Sequence, residues 1–233
     1  MDSKISQPGG RRDPAGRRPL SQLAILTEAI RFIDEQGRDR LTMRQLGARL
    51  GVEAMALYRY VPGREQLLDG VVEVLMEELY NDTMVDNRAT TWQDYLQQLA
   101  HGVRRLALAH PQVFPLVASR PPAAPWLRPP LRSLRWVEAF LEGLAGYGFS
   151  RAASVSTYRA FATFLLGHLL LETAAAIGLP SRPEDDIEFI ESNDLADYPL
   201  ITELGPQLAV DMFSDEFDAA LEDLINRLTT DLD

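Results

Sequence analysis

No cysteine occurs in the 233 residues, and only three histidines, His101, His110 and His168, are scattered along them. A disulfide scaffold and a thiolate metal site are thereby excluded, and a histidine-rich metal centre has no cluster to form on. Lysine is nearly missing as well: Lys4 stands alone beside twenty-two arginines. No apolar run reaches the length of a bilayer span, since the most apolar stretch, Phe161 to Leu171, is broken by Gly167 and His168. The N-terminal segment carries arginines but no apolar core of a secretory signal. A cytoplasmic protein with no membrane partner is the expectation. Strand-like alternation and internal repeats are lacking too, which leaves helices to do the folding.

What is present is a hydrophobic fraction of 46% and a formal charge of −11. The first is ample for a buried core. The second argues against a polyanionic partner only as an average. Residues 1–64 carry twelve basic and seven acidic side chains, a net of +5, while the other 169 carry eleven basic and twenty-seven acidic, a net of −16. A small basic head on a large acidic body is the asymmetry expected when only the head meets nucleic acid. On charge alone, chance clustering of solvated side chains is an equal reading.

Residues 1–18 are rich in Gly, Pro and Arg without apolar period and read as a disordered basic arm, either an inert tail or a minor-groove contact. From there the periodicity is helical. Ser21 caps a first helix with Leu23, Leu26, Ala29, Ile30 and Ile33 on its apolar face, and Gly37 stops it. Thr42 caps a short second helix, with Gln45 reaching back, that ends at Gly51. A third is expected from about Glu53 to Tyr60, and Pro62 opens a fourth running to about Tyr80. Trp92 to Leu106, roughly 111–118, Leu131 to Tyr147, Arg151 to Ile177 and Phe213 to Leu228 follow. Five prolines between Pro121 and Pro130 make a stiff connection, and 178–212 reads as a loose loop with short helices. The fold class is all-α: a three-helix head with a helix-turn-helix over 19–66, and a larger helical-bundle domain over 67–233.

The pattern that carries chemistry is L-T-M-R-Q-L-G-A-R-L-G-V at 41–52, followed by A-L-Y-R-Y-V at 56–61 and R-E-Q-L-L-D at 64–69. Two short helices around a Gly51 turn bury too little alone and must pack on the preceding helix, with Leu46, Leu50, Val52 and Leu57 holding them together. In such a pair the second helix lies in the major groove and its N-terminal side chains reach base edges.

With these motifs the sequence resembles the TetR family of bacterial transcriptional repressors over roughly 20–70. Beyond residue 90, W-Q-D-Y-L at 92–96, Arg104-Arg105, Arg120-Pro121 and G-F-S at 148–150 resemble the regulatory domain of its tetracycline-repressor branch. The resemblance implies that Arg44 reaches a base, where an arginine bridges guanine O6 and N7. It also implies that Thr42, Tyr58 and Tyr60 contact phosphates. Arg64 stands where the family commonly has a phosphate-binding lysine. Ala54, Met55 and Ala56 offer apolar contact to thymine methyls, and Arg59 reads a base or touches phosphate. Tyr58 and Tyr60 as half-buried aromatics, and Arg44 and Arg64 as solvated charges, are the bland alternatives. The chain departs from the family at Pro62-Gly63, before Arg64, and in having no polar side chain at 54–56.

For the body the resemblance implies dimerisation and a small-molecule effector. The segments 155–176 and 213–230 have wide apolar faces suited to an intersubunit four-helix bundle. Tyr80, Leu99, Val103, Trp136, Phe140, Phe161, Phe164 and His168 are the candidate ligand contacts, each with ordinary core packing as its alternative. Leu99 and Val103 fall near polar tetracycline-binding positions of the resembled branch, so a more apolar effector than tetracycline is expected. The expected function is a ligand-responsive dimeric regulator, a repressor on a palindromic operator in double-stranded DNA, released by a small effector. The alternative is a helical ligand-binding or interaction protein without regulated DNA binding. Catalysis, a cofactor and a metal are not expected, because no nucleophile motif, phosphate-binding glycine loop or metal spacing appears.

Overall fold

Small hydroxyl side chains standing just before apolar periodic runs set where the helices of this computed structural model begin. The structure describes residues 19–85, 88–120, 126–127, 133–178 and 197–232, with side chains to residue 229 in the last helix. The basic arm expected at 1–18, nearly all of the proline-rich connection and the loop at 179–196 lie outside the described residues. Among the described residues every regular element is a helix.

Ser21 accepts a hydrogen bond from the Ala24 N–H and opens α1, Gln22–Gln36. Thr42 accepts from the Gln45 N–H at 3.2 Å and opens α2, Met43–Leu50; its hydroxyl also donates to Gln45 Oε1 at 2.8 Å. Gln45 therefore does reach back, but to the capping hydroxyl. Gly51, at φ +67°, ends α2 in the left-handed region that a side chain would strain. Next come α3, Ala54–Leu57, and α4, Arg64–Tyr80. Thr91, Ser133 and Ser150 cap α5 (Trp92–Ala109), α7 (Leu134–Gly146) and α8 (Arg151–Ala176), on either side of the short α6, Phe114–Ser119. Losing one such cap costs about 1 kcal/mol. The remaining helices are α9, Pro199–Leu208, and α10, Phe213–Leu232.

Two expectations are corrected here. Leu23 is not on the apolar face of α1 but 63% exposed, and Ile25 and Phe32 are buried instead. The third helix spans only Ala54–Leu57, because residues 58–60 turn so that Val61 can enter the core. The apolar face of the last helix, with Phe217, Leu221, Leu224, Ile225 and Leu228, is turned into its own body; Asp215, Glu216, Asp218, Glu222 and Asp223 form its exposed side.

The helix that organises the molecule is α4. Its first turns pack on α1, so closely that a Cβ on Gly70 would sit 2.7 Å from a Leu26 methyl. Its later turns pack against α5, α6 and α7. One rigid rod thus belongs to both the head and the body. In the body, Trp136, Phe140 and Phe161 form a near-parallel stack with centroids 5.5 and 5.4 Å apart. Arg104 of α5 grips buried Glu172 of α8 at 2.6–3.1 Å and lies 5.1 Å over the Phe217 ring, tying three helices together. The hydrogen bond to Glu172 raises the guanidinium pKa.

Head and body are also joined by polar clasps. His110, at the end of α5, sits 2.7 Å from Asp34 of α1. That hydrogen bond raises the imidazole pKa against the opposing effect of burial. Folding therefore favours the protonated form. The clasp is fully present below about pH 6.5, the ordinary histidine value, and is lost as pH rises through the raised folded value. Solvent on its open side limits it to about 1 kcal/mol. Melting temperature should fall between pH 6 and pH 8, and His110→Asn should flatten that slope. Equal slopes in both proteins would assign the pH dependence elsewhere.

Candidate nucleic-acid interface and ligand cavity

The helix pair is held by a glycine at its crossing. Gly47 lies in the middle of α2, where a Cβ would meet the Val52 carbonyl oxygen at 2.8 Å and the Ala54 nitrogen at 3.2 Å. The Gly47 carbonyl oxygen accepts from the Val52 N–H at 2.9 Å, closing the turn. Leu46, Leu57 and Val61 are buried in the same core as Ile25, Ile30 and Ile33 of α1. The pair is thus a thin layer docked on α1, with its outer surface free for contact.

That surface sorts its arginines. Arg49 leans back on α1, bonding Glu35 at 2.6 Å and Glu28 at 3.4 Å, with its guanidinium 4.7 Å over Phe32. Arg44, five residues earlier and so about 140° round the helix, points away from α1. It is exposed and makes no ion pair among the described residues, and the same holds for Arg59 and Arg40. Met55 is 74% exposed, while Ala54 and Ala56 are half-buried beside it. Tyr58 and Tyr60 stand 42% and 41% exposed in the turn after α3. Of the net +5 assigned to residues 1–64, +3 lies in the 1–18 arm. In the described head, cationic reach rests on a few unpaired arginines rather than a broad basic patch.

Two expected phosphate contacts have other partners. The Thr42 hydroxyl is engaged with Gln45, as above. Arg64 donates to the Arg38 carbonyl at 3.0 Å and the Leu41 carbonyl at 3.3 Å, so it pins the turn ahead of α2 to the start of α4. It remains 40% exposed, with its guanidinium also 3.8 Å from the Glu65 carboxylate.

Arg44→Ala should cost about tenfold or more in affinity for the cognate duplex and relax selection at one guanine, the usual worth of a bidentate contact. Binding that weakens evenly across all sequences would make Arg44 a phosphate contact instead.

Between α4 and the body lies a narrow cavity of about 30 Å³. Met76 and Leu79 of α4 and Phe114 and Val117 of α6 form one side. Val103 and Leu106 of α5, Trp136 of α7 and Leu165 of α8 form the other. Of the expected ligand contacts, Val103 and Trp136 are in this wall. Leu99, Phe140 and Phe161 are fully buried in the adjoining core. Phe164 and His168 pack on Phe217, with His168 Nε2 3.1 Å from the Phe213 carbonyl oxygen. Tyr80 lies half-buried under the Arg135 guanidinium, 3.8 Å from its ring centre. No group of three or more metal-ligating side chains occurs among the described residues.

A residue outside the expected set ties the cavity to the head. Arg120, ending α6, donates to Asp69 at 2.6 and 2.9 Å, to the Glu65 carboxylate at 2.7 Å and to its carbonyl at 2.9 Å. Burial alone would lower its pKa, but the bonds to Glu65 and Asp69 outweigh it and hold the value raised. The helix that carries Phe114 and Val117 into the cavity wall is thereby bolted to the first turns of α4, next to Arg64.

Residues 25–71 match the family model described as bacterial regulatory proteins, tetR family, and residues 86–232 match the tetracyclin repressor-like C-terminal domain. Class C tetracycline repressor protein of Escherichia coli is 28% identical over 169 residues, 72% of this chain and 73% of the relative. A possible TetR family transcriptional regulator from Streptomyces coelicolor A3(2) superposes with a TM-score of 0.71 at 25% identity, covering 90% of this chain and 99% of the other. The Streptomyces coelicolor TetR family protein ActR, solved in complex with actinorhodin, shares the fold with a TM-score of 0.67 at 21% identity, over 92% and 97% of the two chains.

Proposed function

Because this chain belongs to the tetR family of bacterial regulatory proteins, we propose that it is a dimeric repressor that binds a palindromic operator through α2 and α3 and leaves it when a small apolar molecule opens the body. The observation that carries this reading is the double service of α4. Its first turn pins the turn ahead of α2 through Arg64, and its last turns wall the cavity through Met76 and Leu79.

The energetics follow from the size of the cavity. Drug-sized ligands occupy some 300–1,000 Å³, so a 30 Å³ space admits one only if the surrounding helices part. The helices free to part are those whose displacement costs least packing, and short α6 is the first of these. Through Arg120 its shift pulls on Glu65 and Asp69, and α4 carries the motion to the head. A differential affinity worth about 1–3 kcal/mol between the two arrangements is enough for release.

Dimerisation through 155–176 is supported by the outward stripe of α8, where Val155, Arg159, Thr163, Gly167 and Leu171 recur every fourth residue and are exposed. Gly167 has no heavy atom within 4 Å of where a Cβ would lie, leaving room for a second backbone to approach. The 213–230 helix packs along α8 and borders that contact. Two heads about one DNA turn apart then read two half-sites.

Selection of duplexes from a random library with the full chain tests the reading. An inverted repeat should be enriched, and recovery of unrelated sequences would remove the head's role as a reader.

A further inference from the structure

One residue touches the head with its side chain and the cavity wall with its backbone. The His110 imidazole stands 2.7 Å from Asp34, in the last turn of α1. Its carbonyl oxygen accepts from the Phe114 N–H at 2.8 Å and so tethers the start of α6. Phe114 in turn walls the cavity. A shift of α6 that makes room for a ligand therefore pulls on the contact with Asp34.

That contact depends on charge. Among the described residues Asp34 has no other side-chain partner: one carboxylate oxygen meets His110, and the second is buried and unpaired. The charged groups facing the imidazole are both acids, Asp34 of α1 and, without direct contact, Glu78 of α4. On α5 itself Arg105 is bonded to Asp82, and α6 carries no titratable side chain. A protonated His110 holds Asp34 by charge. A neutral one leaves that carboxylate with a weaker bond and a second acid nearby.

The clasp reaches the helix pair within one turn of α1, since Glu35 beside Asp34 holds Arg49 of α2 at 2.6 Å. No histidine occurs in residues 1–64, so the head's arginines and tyrosines keep their charge between about pH 6 and pH 8. The other two histidines have their contacts within the body. His101 lies 3.7 Å from Asp218, and His168 lies 3.1 Å from the Phe213 carbonyl oxygen. His110 is the histidine whose proton bears on the head.

We propose that His110 and Asp34 form a proton-operated latch between head and body, so that acid holds the chain in its DNA-binding arrangement and opposes release by the effector. This rests on the reading of the chain as a repressor whose body opens to let go of DNA. The narrow cavity belongs to the latched arrangement. Protons and effector are then antagonists, and by linkage each weakens the binding of the other.

Operator affinity of the full chain, measured on the selected inverted repeat at constant ionic strength, should fall about threefold or more between pH 6 and pH 8.5. His110→Asn keeps a donor for Asp34 that takes up no proton, so its affinity should change by less than about 1.5-fold over the same range. His101→Asn should keep the wild-type slope. The His110 imidazole signal, one of only three in the chain, reads the proton directly by NMR, so poor folding of a variant does not leave the question open. It should titrate at a higher pH in the DNA complex than in the free protein, because tighter binding at low pH requires proton uptake. Equal slopes in wild type and His110→Asn overturn the latch, as does a His110 titration that DNA leaves unmoved; the repressor reading survives both. Failure to bind the repeat at any pH removes that reading and the latch with it.

Discussion

Gly47→Val should abolish specific DNA binding, lowering affinity for the selected duplex by more than about a hundredfold while the body stays folded. The two atoms nearest the added Cβ belong to backbone, the Val52 carbonyl oxygen at 2.8 Å and the Ala54 nitrogen at 3.2 Å. Neither can turn aside as a flexible side chain would. The turn must open, the Val52 N–H to Gly47 carbonyl bond is lost, and α3 no longer sits at a fixed angle to α2. Overpacking of this kind costs about 1–3 kcal/mol, and it falls on a thin two-helix layer. Gly146→Ala is the matched control. A Cβ there meets nothing within 4 Å, and the helical residue gains about 0.5–1 kcal/mol from the lost glycine freedom. Fluorescence anisotropy with a labelled duplex reads the first effect and thermal melting reads both. Undiminished DNA affinity in Gly47→Val would mean that the helix pair is not the reading element.

Arg120→Ala should separate ligand binding from DNA release. Its guanidinium is the direct polar link between α6 and the first turns of α4, and it makes four hydrogen bonds to Glu65 and Asp69. Without it α6 can move aside for a ligand while α4 stays in place. The expected result is operator affinity within about threefold of wild type and at least a fivefold weaker effect of a cavity-binding compound on that affinity, the lower end of ordinary coupling. Arg120→Lys should restore little, because a point charge cannot reproduce the fork that spans both acids. The measurement pairs ligand affinity, read from tryptophan fluorescence, with the concentration that half-releases a labelled duplex. Release that shifts only in proportion to ligand affinity would place the coupling elsewhere.

How far the sequence spoke for itself follows from the range of each interaction. Ser21, Thr42, Ser150 and Gly51 act on their own few residues, so helix starts and stops were readable from neighbours alone. The exposure of Arg44 and Met55 follows from helical spacing with Leu46 and Leu57 in the core. The sequence predicts too long a third helix because 58–60 has no breaker before Pro62, and only the tertiary demand for Val61 ends it early. Arg64 and Arg120 show the limit most clearly. Their partners lie 23 to 26 and 51 to 55 residues away, and nothing local distinguishes a clasping arginine from a solvated one. Gly47 left a usable signal, since a glycine inside a short helix costs about 1 kcal/mol against alanine and close backbone approach is a common reason for it. The eight candidate ligand contacts are nearly all large and apolar, a property that core and cavity wall share. Only two of them reach the wall. The charge reading is sharpened too: Glu77 of the acidic body is bonded to Arg135 at 2.6 Å, so not all of the −16 is free to repel DNA.

The central claim is that the 43–57 helix pair of a dimer reads a defined duplex. Titration of the full chain against the selected inverted repeat and a scrambled duplex of equal length, over a series of salt concentrations, tests it most directly. The expected result is two chains per repeat, a preference of at least a thousandfold for the repeat, and a linear fall of log affinity with log salt for both duplexes. Equal affinity for the two duplexes at every salt concentration would contradict it.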